Sequence, residues 1–441
     1  VYATYNKDFG NHHFKVMAGF NQESSYQETL DTYSYNQAVL DVPAMSSGTG
    51  TIKATDSYSE YAIRGGFFRV NYNYLDKYLL EVNGRYDGSS KFPKSSRFGF
   101  FPSVSAGWQI AQERFMNSTR HWLDGLKLRA SYGVIGNQNI NPYTFTPSMS
   151  VNNKATSWII DDTYVTSISS LPALVSQNFT WEKVGTINVG LDVNLFNNRL
   201  SGVFEWYQRN TNGMLAPGVQ LPAVVGASAP YQNTADMRTR GWELSLNWRD
   251  QIGKVGYRIG FNLSDYKSEI IKYDDNAATK LLSSYYPGQT LGEIWGYVVD
   301  GYYTVDDFVD TSSWQLKEGV TSINGYNVRP GDVKFKNLRD DDTSTNVITS
   351  GDNTFDNPGD RKVIGNTTPR YQYGINLGMN YAGFDLNVIL QGTGKRDYWI
   401  SNVLTFPMNG DNFVPLFEGL SDYWMPKDPD NGDWSAVNPN A

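Results

Sequence analysis

Residues able to do covalent chemistry are scarce in this chain and poorly spaced for it. There are three histidines, His12, His13 and His121, and no cysteine. Disulfides, thiol catalysis and thiolate zinc sites are therefore excluded. No HExxH helix, nucleophile elbow or phosphate-cradling glycine loop occurs. His12 and His13 fall at a predicted turn, where histidines are more often solvated than metal-bound. Carboxylates are plentiful, with Asp and Glu totalling 45, but their spacing singles out no acid–base pair. No enzymatic activity is expected.

Recognition chemistry is better supplied. Aromatic residues make up 15% of the chain, including 30 Tyr and 12 Trp. Trp158, Tyr164, Trp295, Tyr297, Tyr302, Tyr303, Trp314, Tyr398, Trp399, Tyr423 and Trp424 all lie outside the predicted strands. Exposed rings stack on sugar faces and anchor protein contacts. Any one of them more often packs its own loop, but the set is expected to include at least one contact with substrate or partner.

The elements that must position these rings show a period of two. In 241–249 (GWELSLNWR), Trp242, Leu244, Leu246 and Trp248 alternate with Glu243, Ser245, Asn247 and Arg249. In 255–263 (VGYRIGFNL), Val255, Tyr257, Ile259, Phe261 and Leu263 alternate with Gly256, Arg258, Gly260 and Asn262. That period gives a sheet one apolar face and one polar face. Similar pairs are predicted at 1–6 with 14–21, 67–74 with 78–87, 98–111 with 126–136, 181–195 with 199–210, and 371–381 with 384–392. Most of the connections within these pairs are short, Lys7–His13, Leu75–Lys77, Phe196–Asn198, Asp250–Lys254 and Ala382–Gly383. Gln112–Gly125 is longer and carries a helix-start signal at Asn117-Ser118-Thr119. The excursions between pairs are long, near 22–62, 137–180, 211–239, 267–369 and 394–441. Short turns at one end and long loops at the other describe a transmembrane antiparallel β-barrel.

Composition agrees. Mean hydropathy is −0.47, as expected when only alternate strand residues meet lipid and long loops dilute them. No run of 18 apolar residues exists, so a membrane-spanning helix is excluded. The net charge of −8 argues against a nucleic-acid partner, because nothing here would neutralise phosphates. The polar strand positions Glu81, Arg85, Lys127, Arg129, Asp192, Glu205, Glu243, Arg249, Arg258 and Asp385 would be costly facing lipid and are placed inward. Tyr72, Tyr74, Tyr132, Trp242, Trp248, Tyr371 and Tyr381 read as a girdle at the lipid boundary.

Several strings go beyond pattern. YNYLDKYLLEVNGRYDGSSKF (72–92), RFGFFPSVSAGWQIAQERFM (97–116), LKLRASYGVIGNQNI (126–140), WEKVGTINVGLDVNLFNNRLSG (181–202), GEIWGYVVDGYY (292–303) and VIGNTTPRYQYGINLGMNYAGFDLNVILQG (363–392) resemble the SusC/RagA-type TonB-dependent outer-membrane transporters. The resemblance covers nearly the whole chain. It implies a barrel of about 22 strands around a plug domain, of which about twelve strands are expected here. The plug and the closing strands are expected outside these 441 residues. It further implies import of an oligosaccharide, or of a peptide, driven through TonB and capped by a SusD-like surface lipoprotein. The run Asp340-Asp341-Asp342 lies where the family often carries a calcium-like loop. Here Thr343-Ser344-Thr345 replaces the glycine turn and no Glu stands at the twelfth position. A solvated acidic loop is the first reading, and a structural Ca2+ on Asp340, Asp342 and Asp352 the second; no other cofactor is expected. A passive porin, a barrel-based adhesin and a soluble β-rich carbohydrate-binding protein remain open alternatives.

Overall fold

The computed structural model describes residues 1–39, 41, 44–149, 151–152, 159–160, 163–164, 168–169, 172–176, 179–218, 221–274, 285–339, 346–400, 426–428 and 433–436. Twelve strands form one sheet: β1 (Tyr2–Phe9), β2 (His12–Ser34), β3 (Ile52–Tyr74), β4 (Tyr78–Ser89), β5 (Phe98–Gln109), β6 (Leu123–Asn137), β7 (Glu182–Leu195), β8 (Leu200–Pro217), β9 (Tyr231–Ile252), β10 (Val255–Tyr273), β11 (Arg370–Tyr381) and β12 (Phe384–Lys395). Each is hydrogen-bonded to its neighbours in chain order, so the sheet is an uninterrupted meander. The expected all-β, antiparallel barrel-type architecture with twelve strands is what the chain adopts.

Tight turns set the strand pairing at one end. Leu75 and Asp76 take left-handed backbone angles (φ 56° and 55°), as do Asn197 and Asn198 (φ 56° and 60°), and Ala382 and Gly383 (φ 49° and 86°). Two successive left-handed residues match the right-handed twist of a hairpin. Two connections are tighter than the sequence reading placed them. Gly10 (φ 60°) and Gly253 (φ 59°) make the turns, and the ladder runs on to Phe9↔His12 in one case and to Ile252 in the other. Polar residues beside a turn cost nothing as strand ends in water, so they do not stop the ladder. The link after β5 holds short 3-10 helices at Ile110–Gln112 and Arg114–Thr119. The expected helix start at Asn117–Thr119 is instead a helix end, because Leu123 already belongs to β6.

The strands also reach further at the other end. β2 and β3 stay paired out to Ser34↔Ile52, β8 and β9 out to Pro217↔Tyr231. The excursions narrow to 35–51, 218–230 and 274–369. Apolar alternation marks only the part of a strand that faces hydrocarbon. Backbone pairing continues beyond it through polar stretches such as 22–34.

Register sorts the two faces. One ladder joins Val16, Val70, Val82, Val104, Tyr132 and Ile187, and another joins Trp108, Leu128, Leu191, Phe204 and Leu244. Most of these side chains lie open and the rest are half-buried, with Tyr132 47% exposed. In water such a face would forfeit about 25 cal/mol for each Å² left uncovered; hydrocarbon removes that cost. The ladders between them carry Asn71, Glu81, Ser105, Ser131 and Asn188.

By its contacts the chain divides into two compact units, Val1–Asn262 with Ile375–Ile389, and Leu263–Gly374 with Leu390–Ala441. The first has a small core of Phe92, Phe101, Phe179 and Trp181. The Trp181 ring lies 5.0 Å from Phe92 and 5.3 Å from Phe101, and its indole N–H donates to the Arg97 carbonyl at 2.9 Å. The second contains a folded body where the sequence reading had an irregular excursion. Glu293–Gly296 pairs with Lys362–Asn366, Val299–Tyr302 with Val333–Phe335, and Ser322–Ile323 with Val347–Ile348. Its core is Tyr303, Phe308 and Val328, packed by Trp314, Leu316, Val320 and Ile323.

Candidate functional site

The polar face of the first unit holds a charged network built by strand register. Arg129 on β6 pairs across to Gly190 on β7, and Gly190 to Glu205 on β8. A Cβ at position 190 would lie 2.6 Å from the guanidinium carbon. Glycine there lets the Arg129 side chain lie across β7. From that position it donates to Asp192 at 3.1 Å and pairs with Glu205, which also accepts from the Asn188 amide at 3.2 Å. The same device recurs further along the sheet. Arg258 lies against Gly378 and donates to Asn387 at 2.5 Å. Such half-exposed pairs contribute little stability, on the order of 0–1 kcal/mol each. Their effect is to keep both charges in place on one face.

Other members of the inward set are also engaged. Glu81 accepts from Asn71 at 3.0 Å and from Asn83 at 2.8 Å, and Asn83 accepts from Arg69 at 2.7 Å. Arg85 is held by Asp87 at 2.9 Å. Arg69, Asn83 and Asp87 were missed by sequence reasoning, although they share strand parity with Glu81 and Arg85. Two depressions open on this face. One of about 660 Å³ is lined by Lys15, Asn71, Glu81, Lys127, Arg129 and Asn188, and one of about 790 Å³ by Arg69, Asn83, Arg85, Asp87 and Ser103 among others. Donors and acceptors of both signs, spread along a wall without a deep pocket, suit a ligand that carries many hydroxyl or amide groups.

The loop aromatics divide sharply. Tyr303 is fully buried, and its hydroxyl donates to the Thr321 carbonyl at 2.6 Å. Burial first, then the nearby Asp307 and Asp332 carboxylates, push its phenol above the ordinary range. It holds the second unit together and cannot meet a ligand, so its place among the contact residues is corrected. Trp314 stands edge-on to Phe308 at 5.4 Å. The Trp295 indole donates to the Tyr286 oxygen at 3.2 Å, and the Tyr286 hydroxyl donates to Glu293 at 2.6 Å. Tyr297 rests on Phe335 at 5.2 Å. Among the described side chains of this set, Tyr302, Tyr398 and Trp399 are exposed, at 41%, 72% and 57%. The backbone of Tyr164 pairs with Ile159, while Trp158, Tyr423 and Trp424 lie outside the described residues.

The family model described as TonB dependent receptor-like, beta-barrel matches residues 2–425. The chain belongs to this family. TonB-dependent receptor P3 of Formosa agariphila is 29% identical over 412 residues, covering 89% of this chain and 38% of that protein. TonB-dependent receptor SusC of Bacteroides thetaiotaomicron is 31% identical over 280 residues, covering 62% of this chain and 27% of its own length. The RagAB peptide transporter shares the fold, with a TM-score of 0.69 at 22% identity over 88% of this chain and 39% of its own. The chain therefore spans well under half the length of the relatives it matches. Membership of a TonB-dependent receptor barrel family implies the outer membrane, and it sets aside the soluble β-rich reading.

Of the three carboxylates read as a second-choice Ca2+ set in this TonB-dependent barrel, only Asp352 lies among the described residues. Asp352 closes a local turn, accepting from the Thr354 N–H at 3.2 Å and the Thr354 hydroxyl at 2.7 Å. Asp360 is buried and accepts backbone N–H groups of Leu338 at 2.9 Å and Thr349 at 2.7 Å. Asp340 and Asp342 lie outside the described residues, among which no group of three or more His, Asp or Glu is placed to hold a metal.

Proposed function

We propose that this chain is barrel wall and surface loop of a TonB-dependent importer that carries oligosaccharide across the outer membrane. The observation that supports this most is the two-faced sheet. Open Val, Leu and Tyr ladders alternate with a charged wall centred on Arg129, Asp192 and Glu205. Hydrocarbon accepts the first face and expels the second. Many weak polar contacts along such a wall orient a hydroxyl-rich cargo without trapping it. Tyr302, Tyr398 and Trp399 add exposed rings for stacking on sugar. A SusD-like lipoprotein serves as lid, and a plug engaged by TonB gates the passage, both supplied from outside these residues. The protein makes and breaks no covalent bond.

Peptide is the second cargo, since RagAB, whose fold the chain shares, is described as a peptide importer. Co-purification from native membranes, with identification of the bound lipoprotein and ligand, separates the two. Uptake of a fluorescent oligosaccharide by whole cells should stop when a protonophore collapses the inner-membrane gradient. Unchanged uptake would make the protein a passive porin, and surface binding without uptake an adhesin.

A further inference from the structure

Five connections at the short-turn end are minimal: 10–11, 75–77, 196–199, 253–254 and 382–383. The link between β5 and β6, residues 110–122, is far longer than hydrogen-bonded hairpin closure requires. It is also firmly fixed. Glu113 accepts from the Tyr78 hydroxyl at 2.7 Å, the Trp108 indole at 3.2 Å and Lys77 at 3.2 Å. Tyr78 and Trp108 belong to the apolar ladders, paired with each other across β4 and β5. The link is thus pinned against the rim of the lipid-facing side rather than the polar side.

What the pinned link presents is amphipathic. Phe115, two residues beyond Glu113, is 66% exposed, and Trp122, at the end of the link after Arg120 and His121, is exposed as well. Trp122 is itself tied to the next turn, its carbonyl accepting from the Phe196 N–H at 2.8 Å. Arg114 and Arg120 are exposed and form no ion pair among the described residues. The neighbouring Lys77 is matched by Glu113, and Asp124 is occupied by the Asn198 N–H at 2.9 Å. An uncovered phenylalanine on a pinned link, next to the free Arg114 and five residues before the free Arg120, is costly in water. It is stabilised at an interface where the ring enters acyl chains and the cations meet phosphate.

We propose that residues 110–122 form a binding site for anionic phospholipid headgroups, with Arg114 and Arg120 holding the phosphate and Phe115 and Trp122 entering the chains. The proposal rests on the sheet's membrane placement, and the site is continuous with its apolar face.

The test uses the full-length protein in non-ionic detergent. Native mass spectrometry reads the retention of phosphatidylglycerol against phosphatidylcholine, supplied in equal amounts. Wild type should retain phosphatidylglycerol preferentially. Replacing Arg114→Gln and Arg120→Gln together should cut that preference by about thirtyfold, each basic residue near an anionic surface accounting for about fivefold. Arg114→Lys with Arg120→Lys should keep it, and Phe115→Ser should lower retention of both lipids alike. An undiminished preference in the double Gln variant overturns the proposal. So does displacement of the lipid by millimolar inorganic phosphate, which would mark a free-anion site. Heat-modifiable gel migration checks the barrel separately: its absence in wild type defeats the membrane reading, whereas its presence with no headgroup preference defeats only the lipid site.

Discussion

Tyr132 and Tyr303 place the same side chain in opposite circumstances. On β6, Tyr132 is 47% exposed within a ladder of exposed or half-exposed aliphatic residues; in the 274–369 body, Tyr303 is 0% exposed at the centre of a core. The body follows the ordinary rule of a protein in water, with apolar groups inside, Asp310 exposed, and the buried Asp360 carboxylate satisfied by backbone N–H groups. The sheet inverts it, with charge gathered on one face and apolar groups spread over the other. The difference is one of solvent. A chain segment places its apolar groups toward whatever accepts them, and here two environments act on one polypeptide.

The comparison breaks if the two regions respond alike to the same insult. Tyr303→Ala should cost about 3–5 kcal/mol locally, as for large-to-small changes in a core. Hydrogen exchange should then rise across 299–335 while the sheet amides stay protected. Leu244→Arg, on the lipid face, should cost about 2–4 kcal/mol near the midplane, read by urea titration of folding into liposomes. Asn247→Arg, on the polar face, should stay within about 0.5 kcal/mol; equal damage from both would count against the assigned faces. Gly190→Ala should dislodge Arg129 from β7, since a Cβ there meets the guanidinium. The effect expected is roughly 1 kcal/mol or less on stability, of the order of one half-exposed ion pair. It is best seen as a change in single-channel current or cargo uptake.

The smallest effect sharpens the contrast through pH. Burial pushes the Asp307 carboxyl upward, but the Thr304 N–H and the Lys334 ammonium outweigh it, and the group sits below the ordinary carboxylate range. A depressed folded pKa means its stabilisation is complete above the unfolded value, near about pH 4. That stabilisation is lost as pH falls through the lower folded value. Exchange protection in the body should therefore hold from neutrality to about pH 4 and decline below it. Asp307→Asn should remove that share of the decline. Lys334 lies 3.2 Å from Asp307 and 5.8 Å from the Tyr303 ring, so the pair guards the same core.

Tyr302 and Tyr303 show where reading the chain stops being sufficient. Nothing local separates these neighbours, yet one is 41% exposed and the other wholly buried. Phe308 and Val328, which bury Tyr303, come from stretches with no periodic spacing, so the body they form leaves no local trace. Arg129 shows the same limit on the polar face. Its inward parity is legible from the alternation at 126–136, but its partners are not. Asp192 and Glu205 reach it only because register places Gly190 between them.

The alternation of apolar and polar residues determined, by itself, twelve strands, their two faces and the end that carries the tight turns. Those features follow from the period-two geometry of an extended backbone and from turn residues that tolerate left-handed angles, both local properties. Which charges pair, which rings stay open to a ligand, and that a long excursion is a folded body were decided only in the tertiary structure. Each of these depends on residues far apart in the chain meeting at hydrogen-bond or van der Waals distance, and no local pattern encodes that meeting.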